Sequence, residues 1–203
     1  MVLLHTPRAV QLPEPEIADV EQLWAKLDAQ NRRPEIVLGR LVVKPMPSKK
    51  HNTVVSRLIK QLVPAVIEND WEFYSNWDVH IPPVRGDRHC PDLIVAPVDP
   101  PTYDENQVYG HGIALAVEVV SASSIEDDYG HKPGEYAKAG VPLYLIADPL
   151  QEPCRVAILA EPTPTDRKGD AYDYRREIQV KAGEPLELPE PFGITLDTAA
   201  LFR

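Results

Sequence analysis

Residues 114–121 read Ala114-Leu115-Ala116-Val117-Glu118-Val119-Val120-Ser121, an apolar run broken by one carboxylate. A short apolar run of this length reads as a strand. Strand alternation puts Glu118 on the opposite face from Val117 and Val119. Upstream lies a second run of the same kind, Cys90-Pro91-Asp92-Leu93-Ile94-Val95-Ala96, with Asp92 at its entrance. Carboxylates this deep among apolar strands are costly unless something cationic compensates for their burial. One divalent metal shared by Asp92 and Glu118 accounts for both, and Lys132 follows on the next helix-like stretch. Taken singly, Asp92 also fits a turn at a strand start, Glu118 an edge facing solvent and Lys132 a solvated helix residue. Taken together and in this order, they point towards metal-assisted phosphodiester cleavage.

Working outward, Ser124–Ala139 reads as a helix with Ser123 or Ser124 as its N-cap, interrupted by Pro133 and Gly134 and stopped at Gly140. Asp128, Lys132 and Tyr136 step by four and share one face if that helix is continuous. They form either a surface ion pair beside a packing tyrosine, or a pair of residues that position the lysine. Val141–Ala147 is a wholly apolar strand. Before Asp92, residues 52–67 carry a wide apolar stripe suited to a helix on a sheet, with Pro64 expected to kink or shorten its last turn. Residues 71–81 read as one half-alternating strand and 84–90 as a polar loop. The proline- and glycine-containing stretch between the two acidic strands reads as a loop. Residues 14–29 suit an amphipathic helix, and 35–44 two short strands about Gly39. After Pro149 the pattern turns to β: a hairpin of Arg155–Leu159 and Tyr174–Lys181, then short strands or turns to Phe202.

The chain has 203 residues, enough to bury one core without disulfides, and its two cysteines, Cys90 and Cys154, make neither a disulfide framework nor a zinc site. No apolar run approaches the ~20 residues needed to span a bilayer, so a cytoplasmic protein is expected. The net charge of −10 opposes sequence-independent DNA affinity, which comes from neutralising phosphates. A local basic groove remains compatible with it. Arg32-Arg33, Lys49-Lys50 and Arg175-Arg176 are the candidates, although each also fits a solvated patch.

Several pieces occur in one order: Glu35-x-x-x-Gly39, His51, Pro91-Asp92, Glu118-Val119-Val120-Ser121, Asp128-x-x-x-Lys132-x-x-x-Tyr136, Ala139-Gly140-Val141-Pro142-x-Tyr144-x-x-x-Asp148-Pro149 and Gly183-Glu184-Pro185. In that order they resemble the Uma-two family of proposed endonucleases, within the PD-(D/E)XK restriction-endonuclease-like superfamily, over roughly residues 30–203. The resemblance implies an α/β fold with an αβββαβ core, a mixed central sheet flanked by helices. An N-terminal helix and hairpin and a C-terminal β extension decorate it. As one domain, the chain would divide into a helical extension (1–34), a nuclease-like core (35–149) and a β-rich extension (150–203). The resemblance also implies Mg²⁺ or Mn²⁺ held by Asp92, Glu118 and the carbonyl of Val119, and DNA as substrate. Lys132 would take the place of a lysine that the superfamily motif sets at position 120, where this chain has valine. Glu35 is a further candidate as ligand or water-holder, and His51 as a phosphate contact or a cap. A homodimer is the implied assembly. The competing reading is a binding or interaction module on a nuclease scaffold with little or no catalysis.

Overall fold

The computed structural model describes residues 17–30, 34–37, 40–43, 46–82 and 87–203. The expected turn at Gly39, the start of the first helix at 14–16, and Arg32-Arg33 lie outside them. In chain order the elements are α1 (Ile17–Asp28), β1 (Pro34–Val37), β2 (Arg40–Val43), α2 (Lys49–Glu68), β3 (Trp71–Tyr74), β4 (Asp78–His80), β5 (Arg88–His89), β6 (Leu93–Pro97), β7 (Thr102–Asp104) and β8 (Gln107–Tyr109). There follow β9 (Leu115–Val119), a π turn (Asp127–His131), α3 (Lys132–Lys138), β10 (Leu143–Asp148), β11 (Arg155–Pro164), β12 (Tyr172–Lys181), β13 (Leu186–Glu187), β14 (Thr195–Leu196) and α4 (Thr198–Phe202).

The central sheet runs β12-β11-β10-β9-β6-β3, with β9 and β10 parallel and the other neighbours antiparallel. The parallel pair needs a crossover, which the helical segment ending in α3 supplies. α2, β3, β6, β9, α3 and β10 are the αβββαβ core, and β11 and β12 extend the same sheet. A second sheet, β2-β1-β5-β4-β8-β7, packs against the α3 side through Val79, Ile81 and Val108. α1 docks on it through Arg88, whose guanidinium bonds both oxygens of Glu21 and lies 4.3 Å over the Trp24 ring.

Alternation sorts the core into two layers. Leu93, Val95, Leu115, Val117, Val119 and Leu145 face α2, where Val54, Leu58, Leu62 and Ala65 meet them. Ile94, Ala96, Ala116, Val120, Tyr144 and Ile146 face the α3 side, and Glu118 shares their parity.

Four local expectations are corrected. α2 begins at Lys49, capped by Ser48, whose Oγ accepts from the His51 N–H (3.2 Å), and Pro64 does not shorten it. Ala65 and Val66, buried on the following turn, carry the helix on to Glu68. Residues 71–81 form two strands belonging to different sheets, separated at Asn76, which sits at φ +60° where a single strand cannot continue. The supposed loop between the acidic strands contains β7, β8 and a single 3₁₀ turn, Gly110–Gly112. The helix through Lys132 opens into a π turn. Pro133 has no N–H and its ring would strike the carbonyl four residues back. The chain widens ahead of it, so that the Lys132 N–H bonds Asp127 O five residues behind. Gly140 ends the helix at φ +81°, as expected of a left-handed terminator.

Candidate active site

Glu118 and Lys132 meet at one end of the central sheet, and Asp92 stands at the entrance of the neighbouring strand. β6 and β9 pair antiparallel with Leu93 opposite Val117, and one further step brings Asp92 opposite Glu118. The Val119 N–H donates to Asp92 Oδ2 (2.8 Å), and His51 Nε2, from the first turn of α2, donates to the same oxygen (2.9 Å). Burial works to lower the His51 pKa, but the bond and charge of Asp92, with Glu118 nearby, raise it above the ordinary histidine value. Of Val119, the contact seen is made by its amide; the carbonyl is not part of it.

Glu118 is buried on the α3 face. Lys132 Nζ donates to Glu118 Oε1 (2.7 Å) and to Asp128 Oδ1 (2.7 Å), and the Tyr136 hydroxyl donates to Glu118 Oε1 (3.0 Å). Asp128, Lys132 and Tyr136 thus do face one way, despite the π turn. Ser124 Oγ donates to Asp128 Oδ2 (2.6 Å), and the Tyr144 hydroxyl to the Asp128 carbonyl (3.1 Å). The surface ion-pair reading is excluded by burial, since Lys132 and Asp128 are each 0 % exposed. Burial would pull the lysine pKa down, but Glu118, Glu35 and Asp128 outweigh it and hold the ammonium well above the ordinary range. Burial, reinforced by the Glu118 charge, pushes the Tyr136 phenol well up. The lysine is therefore a fixed cation at neutral pH and no general base.

Glu35 is buried, and its charge acts on Lys132 as well. Its Oε1 accepts the Cys90 N–H (3.0 Å), which fixes the chain just ahead of Pro91-Asp92, and its Oε2 lies 3.9 Å from His89 Nδ1. His89 and Glu135 were not foreseen. His89 Nε2 bonds Glu135 Oε2, and the ring packs 5.4 Å from Tyr136. Burial works against the imidazolium, yet Glu135 and Glu35 raise its pKa to about 9, so His89 is charged at neutral pH. The only signal in the chain was position, three residues before Asp92 for His89 and three after Lys132 for Glu135. β5, which carries His89, is two residues long and shows no periodicity of its own.

Among the described residues no three His, Cys, Asp or Glu side chains converge as a ready ligand set. Nor is any described helix long and apolar enough to cross a membrane. Of the other basic candidates, Arg175 on β12 is held by Glu161.

A mixed sheet with paired acids at adjacent strand ends and a lysine on the crossover helix defines a nuclease-like α/β protein. The chain belongs to the Uma2 family, described as "Putative restriction endonuclease", whose model matches residues 17–199. It is similar to the crystal structure of "a putative nuclease belonging to DUF820" from Anabaena variabilis ATCC 29413, at 15 % identity and a TM-score of 0.60. That match covers 83 % of this chain and 89 % of the other. No curated protein matches.

Proposed function

We propose that this protein is an endonuclease that hydrolyses DNA phosphodiester bonds with Mg²⁺ or Mn²⁺, using Asp92, Glu118 and Lys132. The observation that carries the reading is the meeting of Glu118 with the Lys132 ammonium on one side and the register position of Asp92 on the other. Two carboxylates suit magnesium, which is usually held by one or two of them and keeps several of its waters.

Asp92 and Glu118 would hold the ion, with the Val119 carbonyl as a third donor. When bound, the ion supplies an acidified water and stabilises charge on the phosphoryl oxygens. The chain's own residues do the rest. His51 and the Val119 amide aim the Asp92 carboxylate. Lys132 keeps its proton and stabilises the charge that develops in the transition state. Asp128 and Tyr136 position Lys132 and Glu118. A homodimer acting in the cytoplasm completes the reading, and sedimentation equilibrium tests its assembly.

Asp92→Ala and Glu118→Ala should each abolish divalent-dependent cleavage of plasmid DNA while the unfolding transition survives. Undiminished cutting by either variant sinks the assignment. One observation favours a nuclease-scaffold binding module instead: Lys132 is wholly buried and already bonded to two carboxylates. Calorimetry separates the two, because a catalytic site should bind Mg²⁺ or Mn²⁺ and lose it on Asp92→Ala.

A further inference from the structure

α2 breaks a local rule. Its first turn carries Lys49 and Lys50 and no acid, although cations are disfavoured at the positive end of a helix dipole. Over its 20 residues the sole acid is Glu68, in a chain of net charge −10. Conflicts between local preference and sequence are expected where function demands them.

The positive residues are also ordered in space. Lys49, Asn52, Thr53, Ser56, Arg57 and Lys60 line a shallow groove of about 560 Å³ on the face of α2 turned away from the sheet. None is acidic, and all but Thr53, whose hydroxyl donates to the Lys49 carbonyl (2.8 Å), turn a side-chain donor to the groove. Lys49 and Lys60 are exposed. Arg57 is anchored from below, its Nη1 donating to the carbonyls of Leu201 (3.0 Å) and Arg203 (2.5 Å), so its charge is held in place. Asp197 borders the far end, where Gln61 bonds its backbone and Arg203 lies 3.8 Å from its carboxylate. The near end is seated at the candidate active site. Lys50 Nζ donates to Pro149 O (2.7 Å) at the end of β10, and the neighbouring His51 bonds Asp92.

We propose that the outer face of α2, from Lys49 to Lys60, binds the phosphodiester backbone of nucleic acid flanking the bond to be cut. The inference rests on the nuclease reading above and adds the surface that holds the substrate. The eleven steps from Lys49 to Lys60 rise about 16 Å, close to the rise of five base pairs along a duplex. Three cations and two neutral donors, Asn52 and Ser56, over that length match a polyanion read without regard to sequence. The stripe also eases the electrostatic conflict: an acidic protein approaches DNA on a helix face that carries no acid.

The test is binding of a short fluorescent duplex to the full chain in EDTA, so that no cleavage intervenes, over a series of salt concentrations. Lys49→Ala with Lys60→Ala should flatten the slope of log affinity against log salt by about two, near 0.9 for each lost phosphate contact. Lys49→Glu with Lys60→Glu should weaken binding at least tenfold, whereas Arg175→Glu with Arg176→Glu on β12 should change neither quantity. Wild-type affinity and slope in the α2 variants overturn the proposal. If Asp92-dependent cleavage is present alongside that result, the stripe falls alone and the nuclease reading stands. If the wild-type chain neither cuts nor binds the duplex, the nuclease reading falls and takes the stripe with it.

Discussion

The two faces of the central sheet are built on opposite principles. Towards α2 the layer is hydrocarbon: Val54, Leu58 and Leu62 interdigitate with Val95, Leu115, Val117 and Leu145, closed at the far end by Leu186, Phe192 and Leu201. Towards α3 the same strands carry Glu118 into a layer that also holds Asp128, Lys132, Glu135 and His89. Hydrophobic burial is non-directional and tolerates some repacking. A buried charge cluster depends on particular partners, because each unmatched ion keeps its desolvation cost. One face therefore supplies stability, and the other holds a geometry that stability alone would not select.

Three changes would break or sharpen that contrast. The largest is Lys132→Met, which strands Glu118 and Asp128 in the interior and should cost about 3–5 kcal/mol in urea unfolding. Adding Glu118→Gln should recover part of that loss, since the amide leaves less uncompensated charge behind. A double variant no more stable than Lys132→Met alone would mean that the cluster is not coupled through Glu118. On the hydrocarbon face, Leu62→Ala should cost about 3 kcal/mol by loss of contacts and a residual cavity. Unlike Lys132→Met, it should leave divalent-dependent cleavage near wild type below the unfolding midpoint. Matching losses of activity in the two variants would erase the functional distinction between the faces.

The most gradual effect is on pH dependence. The His89 pKa is raised from 6.5 to about 9 by Glu135 and Glu35 against the pull of burial. A raised cationic group stabilises fully below its unfolded pKa and loses that contribution as pH climbs through the folded value. Stability should therefore fall between about pH 6.5 and about pH 9, and His89→Gln should flatten that fall. Burial, aided by Glu35, raises Asp78 to about 7, so its loss comes at lower pH, between 3.8 and about 7. Equal slopes above pH 7 in the wild type and His89→Gln would remove His89 from the account.

The parts of this site legible in the chain were those with a periodic context. Asp92 stood out at the entrance of an apolar strand, Glu118 within one, and Lys132 as the lysine on the helix-like stretch that follows. His89 and Glu135 were invisible because neither lies in a pattern. β5 exists only through its pairing with β1 and β4, and Glu135 acquires its meaning from an imidazolium more than forty positions away. Splitting residues 71–81 between two sheets was equally beyond reach, since alternation carries the strand period but not the sheet to which a strand belongs.

Local pattern alone therefore determined an alternating α/β chain, the two acidic strands, the helix bearing the lysine and an acidic surface, because propensity and burial periodicity act over a few neighbouring residues. The tertiary structure decided that Glu118 faces α3 and not α2, that a π turn ahead of Pro133 still delivers Lys132 to Glu118, and that Glu35, His89 and Glu135 brace the segment leading to Asp92. Those outcomes depend on strand order, register and the pairing of distant charges in a low-dielectric interior, which come into being only when remote segments meet.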